Sequence, residues 1–446
     1  MRTSENINGC ILTSGHLKYG GLFTVEVSMS STSIVYTPFT LPCGKTVRNR
    51  LVKAAMEENM SGRWLLPDHA LFSLYRYWAH GGLGMIITGN VMIDRHAMTG
   101  PGGVALEADS PIEPFIQWAK IIRSGGALAI MQINHPGRQV LKAMRDTALA
   151  PSAISLNMGR HSSLFAKPIA MQGSDIHTIC ARFVTTAVRA KEAGFDGVEI
   201  HAAHGYLLTQ FLSPLWNQRE DEWGGNLLNR ARLLLNIVCQ IRACCGSNFI
   251  IMVKLNSADF QHGGFDIDDA QVVVSMLEGV GVDVVELTGG SYESPAMQGR
   301  THNERTLPKE AYFLEFAKRI AASTSLPVMT TGGIRRLAVA ERVIEQGCAL
   351  AGMGSAVAST PDLAKKWQIK ADYQGVAPVC HWRDKTLASF VKMAKVRREL
   401  RRLGNDLTPL KHPSSFHSLL LDLLHRRKMT KRYHTYMAAW AQEKEK

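Results

Sequence analysis

Near the middle of the chain the sequence reads VEIHAAHGYLL, residues 198 to 208. Two imidazoles, His201 and His204, stand three residues apart, with the phenol of Tyr206 two further on. Imidazole N–H groups beside a phenol suit a reaction in which negative charge grows on a carbonyl oxygen while a proton is delivered to carbon. The spacing is a poor metal signal, because zinc helices write HExxH and residues 202 and 203 are both alanine. A histidine is more often a packing residue than a catalyst, so the pair needs a framework that brings other groups to it.

Short apolar runs of strand length supply that framework: LVKAAM (51–56), GMIITGNV (84–91), ALAIMQIN (127–134), GVEIHA (197–202), FIIMVKLNS (249–257), DVVELTGG (283–290), LPVMTTGG (326–333) and ALAGMGSA (349–356). Most are apolar at consecutive positions, as parallel strands covered on both faces are. Helix-compatible stretches lie between them, at 175–193, 227–245, 268–280, 308–322 and 334–346. Eight alternating units of this kind predict an α/β fold, a (β/α)8 TIM barrel, whose site collects at the C-terminal ends of its strands. An open doubly wound sheet is the alternative, but it gives no reason for so many strands to end in polar residues. On the barrel reading His201, His204 and Tyr206 share a mouth with Gln132 and His135 from the third strand and Lys254 from the fifth.

Charge is concentrated at one end. The net is +13 over 446 residues, and residues 381–446 hold 16 Lys/Arg against 6 Asp/Glu, so the tail carries +10 of it. No nucleic-acid motif or stacking pattern accompanies this charge, so no nucleic-acid partner is expected and solvated helix faces are the simpler reading. Within the tail, 391–404 reads as a basic helix and 414–440 as a second, amphipathic helix pair whose leucines would pack on the barrel or on another subunit of a homo-oligomer. Eight cysteines occur without CxxC or metal-ligand spacing and read as reduced, mostly buried thiols; no metal is expected. No apolar run approaches the ~18 residues that span a bilayer, and a cytoplasmic protein with no integral membrane association is expected. Residues 1–36 form an N-terminal extension expected to be poorly ordered, 37–375 the barrel, and 376–446 a basic helical extension.

The stretch from Gly197, GVEIHAAHGYLLTQFLSPLWNQREDEWGGNLLNRARLLL, resembles the signature of the Old Yellow Enzyme family of FMN-dependent NAD(P)H:flavin oxidoreductases. NRLVKAAM (49–56), GGLGMIITGNV (81–91), MQINHPGRQ (131–139), VKLNSADF (253–260), VELTGGSYE (285–293) and TTGG (330–333) follow in the family's order. The KAAM and NHPGRQ forms resemble a bacterial and fungal branch.

The resemblance implies an FMN lying across the barrel mouth, reduced by NAD(P)H and reoxidised by a small-molecule activated alkene such as an α,β-unsaturated carbonyl compound. His201 and His204 would hydrogen-bond the substrate's carbonyl or nitro oxygen, donors of a kind worth ~3 to 4 kcal/mol each in oxyanion sites. Tyr206 would protonate the α-carbon. Asn59 would meet the substrate. Gln132 would bond the pyrimidine edge of the flavin, and Lys254 would sit near N1 and O2, where negative charge gathers on reduction. Ala55, Met56 and Asn90 would line the ring, and Gly332, Gly333, Gly354 and Ser355 would cradle the phosphate.

Two positions depart from the family's pattern. Glu57 stands where a small Thr or Cys is common, and an ionised carboxylate there would oppose reduction of the flavin, so it must be protonated, paired or turned away. Ser355 stands where the family usually writes Arg, removing a charge-assisted contact worth roughly 1.5 to 3 kcal/mol. Only Cys380 follows the eighth strand, too few for the iron–sulfur cluster of some relatives. Two alternatives to an ene-reductase stay open: a flavin-dependent isomerase or dehydrogenase of specialised metabolism, and a flavin-free barrel acting as a scaffold.

Overall fold

The computed structural model describes residues 33–145, 147–299 and 310–444. Its centre is a closed parallel barrel of β1 (Leu51–Lys53), β2 (Met85–Ile87), β3 (Leu128–Asn134), β4 (Gly197–Ala202), β5 (Ile250–Asn256), β6 (Val284–Thr288), β7 (Val328–Thr330) and β8 (Leu350–Met353). Each strand pairs with the next, β8 pairs with β1, and β3 with β4, which completes the ring. This is the (β/α)8 architecture that the alternating pattern predicts.

Helices fill the intervals: α1 (His69–Ala79), α2 (Glu113–Arg123), α3 (Gly173–Glu192), α4 (Leu227–Cys245), α5 (Ile267–Gly279), α6 (Leu314–Ala321) and α7 (Leu337–Glu345), with α8 (Leu363–Ile369) after the last strand. Their starts are written in the sequence. Asp68, Asn226 and Asp266 each accept a backbone N–H of the first turn, and Gln172 with Asp175 forms a reciprocal cap on α3.

Strand residues alternate between two cores, which is why their runs are apolar throughout. Val198, Ile200, Ile251, Val253 and Leu255 pack outward against the helices. Val52, Ile87, Ile130, Ile250, Met252, Val284 and Met329 pack inward, and Leu41 and Val47, from a small antiparallel hairpin ahead of β1, join them.

Beyond the barrel come α9 (Lys385–Gly404) and α10 (Ser415–Lys444). The second is one helix, where the sequence reading expected a pair. The barrel is not what receives its leucines: Leu420, Leu421, Leu423 and Leu424 are exposed, while Met429 and Tyr433, further along, are buried. The apolar stripe thus packs only in its C-terminal half. Of the seven described cysteines, Cys180, Cys245 and Cys348 are buried, fewer than expected. Among the described residues no helix is long and apolar enough to cross a membrane.

Candidate active site

Along the inward positions of β3 to β6, side-chain character changes with height. Apolar residues at one end give way to Gln132, Glu199, Lys254 and Glu286, and then to His201, Asn256 and Thr288. The pairing register sets Glu199 beside Gln132, His201 beside Lys254, and Lys254 beside Glu286. Gln132 Nε2 donates to Glu199 Oε2 at 2.6 Å, and Lys254 pairs with Glu286. Burial and the nearby Glu286 hold the Glu199 carboxyl well above the usual carboxylate range, so Glu199 keeps its proton.

Just above lies the histidine pair. The His201 and His204 rings are 5.1 Å apart and edge-on, and the Tyr206 ring is 4.9 Å from His201. His201 and Tyr206 are 4% and 6% exposed, so little water reaches them. Burial, the neighbouring imidazole and Lys254 push the His201 pKa well below its ordinary value; burial and Lys254 do the same for His204. Both rings are neutral. His201 Nδ1 accepts the Ala203 N–H at 3.2 Å, which leaves the ring proton on Nε2. His204 Nε2 and the Thr288 hydroxyl lie 2.9 Å apart.

The backbone here is over-determined. His204 sits at φ 61°, a left-handed conformation that is costly for a non-glycine residue. Its N–H is held by Asn256 Oδ1 (3.1 Å) and its carbonyl by Gln139 Nε2 (3.0 Å). Gly205 follows at φ 77°, and this turn starts the short helix Leu207–Leu212.

Tyr206 has a partner that the sequence reading missed. Its hydroxyl lies 3.0 Å from that of Tyr292, in the segment after β6. Burial, Tyr292 and Glu57 push the Tyr206 pKa well above its ordinary value, so the phenol stays protonated. Tyr292 itself is raised to about 12, chiefly by burial. The next residue, Glu293, is clamped by Arg138 Nη2 at 2.7 Å and by the Asn157 N–H at 2.6 Å, which fixes that segment.

Other expected residues divide into groups. His135 does not join the cluster: it is buried, its charged neighbours are Asp94 and Arg182, and its pKa falls to about 4 because of burial. The strand ends at Asn134, and the His135 ring instead turns back onto the following Gly137 N–H, 3.1 Å away. Glu57 is paired, accepting the Thr99 hydroxyl at 2.5 Å. Asn59 is buried at φ 56°, and its carbonyl accepts His425 Nε2 of α10 at 2.7 Å. Ala55, Met56, Asn90, Gly332, Gly333, Gly354 and Ser355 are half-buried just past the ends of β1, β2, β7 and β8.

The two C-terminal helices lie across this end. Their contacts fall on segments that follow β1, β2, β3, β6 and β8. Tyr433 donates to Arg95 O (2.8 Å), His434 Nε2 to Ala143 O (2.9 Å), and Gln298 Nε2 to Met393 Sδ (3.2 Å). Asp422 binds Arg397 through both oxygens (2.9 and 2.6 Å) and Arg401 at 3.1 Å, tying the helices together.

The chain has known relatives. Residues 34–373 match the NADH:flavin oxidoreductase / NADH oxidase family. The chain belongs to that family. It is 35% identical over 350 residues to an NADH-dependent flavin oxidoreductase of Hypocrea jecorina, covering 74% of this chain and 87% of the relative. It is also 35% identical over 392 residues to one from Neonectria sp., covering 82% of this chain but only 51% of the relative, so the chain spans about half of that protein. The solved Old Yellow Enzyme homologue from Zymomonas mobilis shares the fold, with a TM-score of 0.66 at 20% identity, covering 80% of this chain and 98% of that one.

Family membership brings FMN, with NAD(P)H as electron donor, and the mouth fits it. The Gln132 carbonyl oxygen has no partner among the described residues, and Lys254 is a buried cation at the level of His201. The glycines separate into two kinds. A Cβ at Gly332 or Gly333 would lie 2.9 or 2.7 Å from Tyr312, so packing alone demands glycine there. At Gly354 a Cβ would meet only Met56, at 3.7 Å, so packing does not explain that glycine and its backbone is open to an anion. Positive charge near the glycine turn comes from Arg335 and Arg336, both paired with Glu310 at 3.4 and 2.8 Å.

Glu199 and Glu286 were legible in principle. A carboxylate inside an otherwise apolar strand, as in GVEIHA and VVELT, signals an inward polar layer. Tyr292 and the arginines of the C-terminal helices gave no such local signal.

Proposed function

We propose that the chain is an ene-reductase, passing hydride from NAD(P)H by way of FMN to the C=C bond of an α,β-unsaturated carbonyl or related activated alkene. The observation that carries this reading is the neutral pair His201 and His204, with rings 5.1 Å apart, beside a phenol kept protonated by its burial. When bound, FMN would supply the hydride chemistry between the nicotinamide and the alkene β-carbon.

The chain's own residues do the rest. Gln132 and Lys254 would hold the pyrimidine edge, Ala55, Met56, Glu57 and Asn90 would border the ring, and Gly332, Gly333, Gly354 and Ser355 would hold the phosphate. His201 offers its Nε2–H to the substrate oxygen. With the Thr288 hydroxyl donating to its Nε2, His204 offers its Nδ1–H to the same oxygen. As negative charge grows on that oxygen, two preorganised neutral donors stabilise it without carrying the cost of burying a cation. Tyr206 gives its proton to the α-carbon, and Tyr292, within hydrogen-bond reach at 3.0 Å, helps keep that proton on Tyr206 until the carbon takes it. Asn59 and Glu57 border the space the alkene occupies.

The test is spectroscopic. The purified protein should be yellow, bleach when NADH or NADPH is added without oxygen, and recover its colour when an enone is added. A colourless protein that does not take up FMN, or bleached protein that no enone reoxidises, would refute the reading.

A further inference from the structure

Beside the mouth, α10 and the segments after β2 and β3 enclose a groove of about 590 Å³. Residues 423, 426, 427, 430, 431 and 434 line it from α10, a spacing that puts them on one helix face. That face carries Arg426, Arg427, Lys431 and His434, and Arg145 lies opposite. No carboxylate is among the described lining residues. Basic helix faces usually look to open solvent, whereas this one is turned onto a concavity and pinned there by His434 on Ala143 O at 2.9 Å.

Arg426 connects the groove to the active site. It is half-buried, its guanidinium has no hydrogen-bond or ion-pair partner among the described residues, and together with Arg397 it favours the ionised form of the Tyr292 phenol. Arg397 is already taken by Asp422. Arg426 thus offers five donors between a tyrosine at the mouth and a row of cations leading away from it.

We propose that this groove binds an anionic oxygen group, phosphate or carboxylate, of a reactant whose other end lies at the mouth, the favoured source being the diphosphate of the nicotinamide dinucleotide. The inference rests on the ene-reductase reading for what occupies the mouth. A dinucleotide is favoured because three cations on one face, Arg426, Arg427 and Lys431, with Arg145 opposite, exceed what a single carboxylate needs, and because Leu141 and Met144 add an apolar wall suited to a purine.

Calorimetry on the FMN-loaded full chain tests it, using ADP-ribose as a diphosphate without nicotinamide and cinnamate as an acidic alkene. Arg427→Glu with Lys431→Glu, at two exposed positions, should weaken ADP-ribose binding about tenfold or more, as loss of charge-assisted contacts does, and leave cinnamate unchanged. The milder pair Arg427→Gln with Lys431→Gln should move binding the same way by less. A loss confined to cinnamate would keep the anion site but make its source the alkene's carboxylate. Unchanged binding of both probes in both variants, or no binding of either by the wild type, overturns the proposal. ADP-ribose binding needs no electron transfer. A wild type that binds it in this groove yet shows no bleaching by NADH would therefore refute the ene-reductase reading and leave the groove standing.

Discussion

The two ends of one barrel solve opposite problems with the same strands. At the end closed by the hairpin, Leu41 and Val47 plug a cylinder whose inward positions, Val52, Ile130, Ile250 and Val284, are all apolar. Further along, the inward positions carry Gln132, Glu199, Lys254 and Glu286, with His201 beside Lys254 and Thr288 above Glu286. The first end is finished when every atom has a neighbour. The second must hold polar groups rigidly while leaving some of them a free donor or acceptor. It does so through residues that touch no reactant: Ala203 fixes the His201 tautomer, and Asn256 and Gln139 hold the strained His204 backbone. The difference teaches that stability and chemistry are separable along β3 to β6, where polar inward positions begin two residues past the last apolar one on β3, β5 and β6.

That separation can be broken in several places. The largest effect is expected at the open end. Tyr206→Phe should slow reoxidation of the reduced flavin by an enone by about 10² to 10⁴-fold, the range for a lost general acid, with little change in flavin reduction by NADH; anaerobic stopped-flow reads both. At the closed end Leu41→Ala should cost ~2 to 5 kcal/mol in urea unfolding and leave the turnover of folded protein unchanged. Lost turnover with intact stability would show that the ends are not independent.

His135 sharpens the comparison, because it is a buried histidine beside the site yet outside it. In the unfolded chain an imidazole takes up a proton below about pH 6.5, whereas in the fold His135 resists until about pH 4. Between those values the unfolded state binds more protons, so stability falls as pH drops through the window, by about 3 kcal/mol in total. In His135→Gln that part of the slope should vanish from unfolding curves measured between pH 4 and 7. The smallest effect is expected at the phosphate end of the flavin. Ser355→Arg should tighten FMN binding about tenfold in a fluorescence titration, through one added charge-assisted contact.

Much of this was legible in the sequence, for local reasons. GVEIHA is a strand over 197–202 to the residue, because its apolar run ends at a turn that a left-handed residue and a glycine must make. LPVMTTGG shrinks to Val328–Thr330, because the glycines that closed the apolar run already belong to the turn packed on Tyr312. What the tail's leucines meet was not legible, for a related reason. Amphipathic spacing says that a helix has an apolar face, not that anything covers it, and Phe416, Leu420 and Leu424 stand exposed while Met429 and Tyr433 are buried. Tyr292, Arg397 and Arg426 reach the mouth from segments far from His201 in sequence, and only the closed barrel with its two crossing helices brings them near.

The central claim is that His201 and His204 act on the alkene and not on the delivery of hydride to the flavin. Anaerobic stopped-flow on the FMN-loaded His201→Ala, His204→Ala double variant tests it most directly. The account predicts flavin reduction by NADH at close to the wild-type rate and reoxidation by an enone slowed by at least ~10²-fold. Reoxidation at the wild-type rate, or equal loss in both half-reactions, would contradict it.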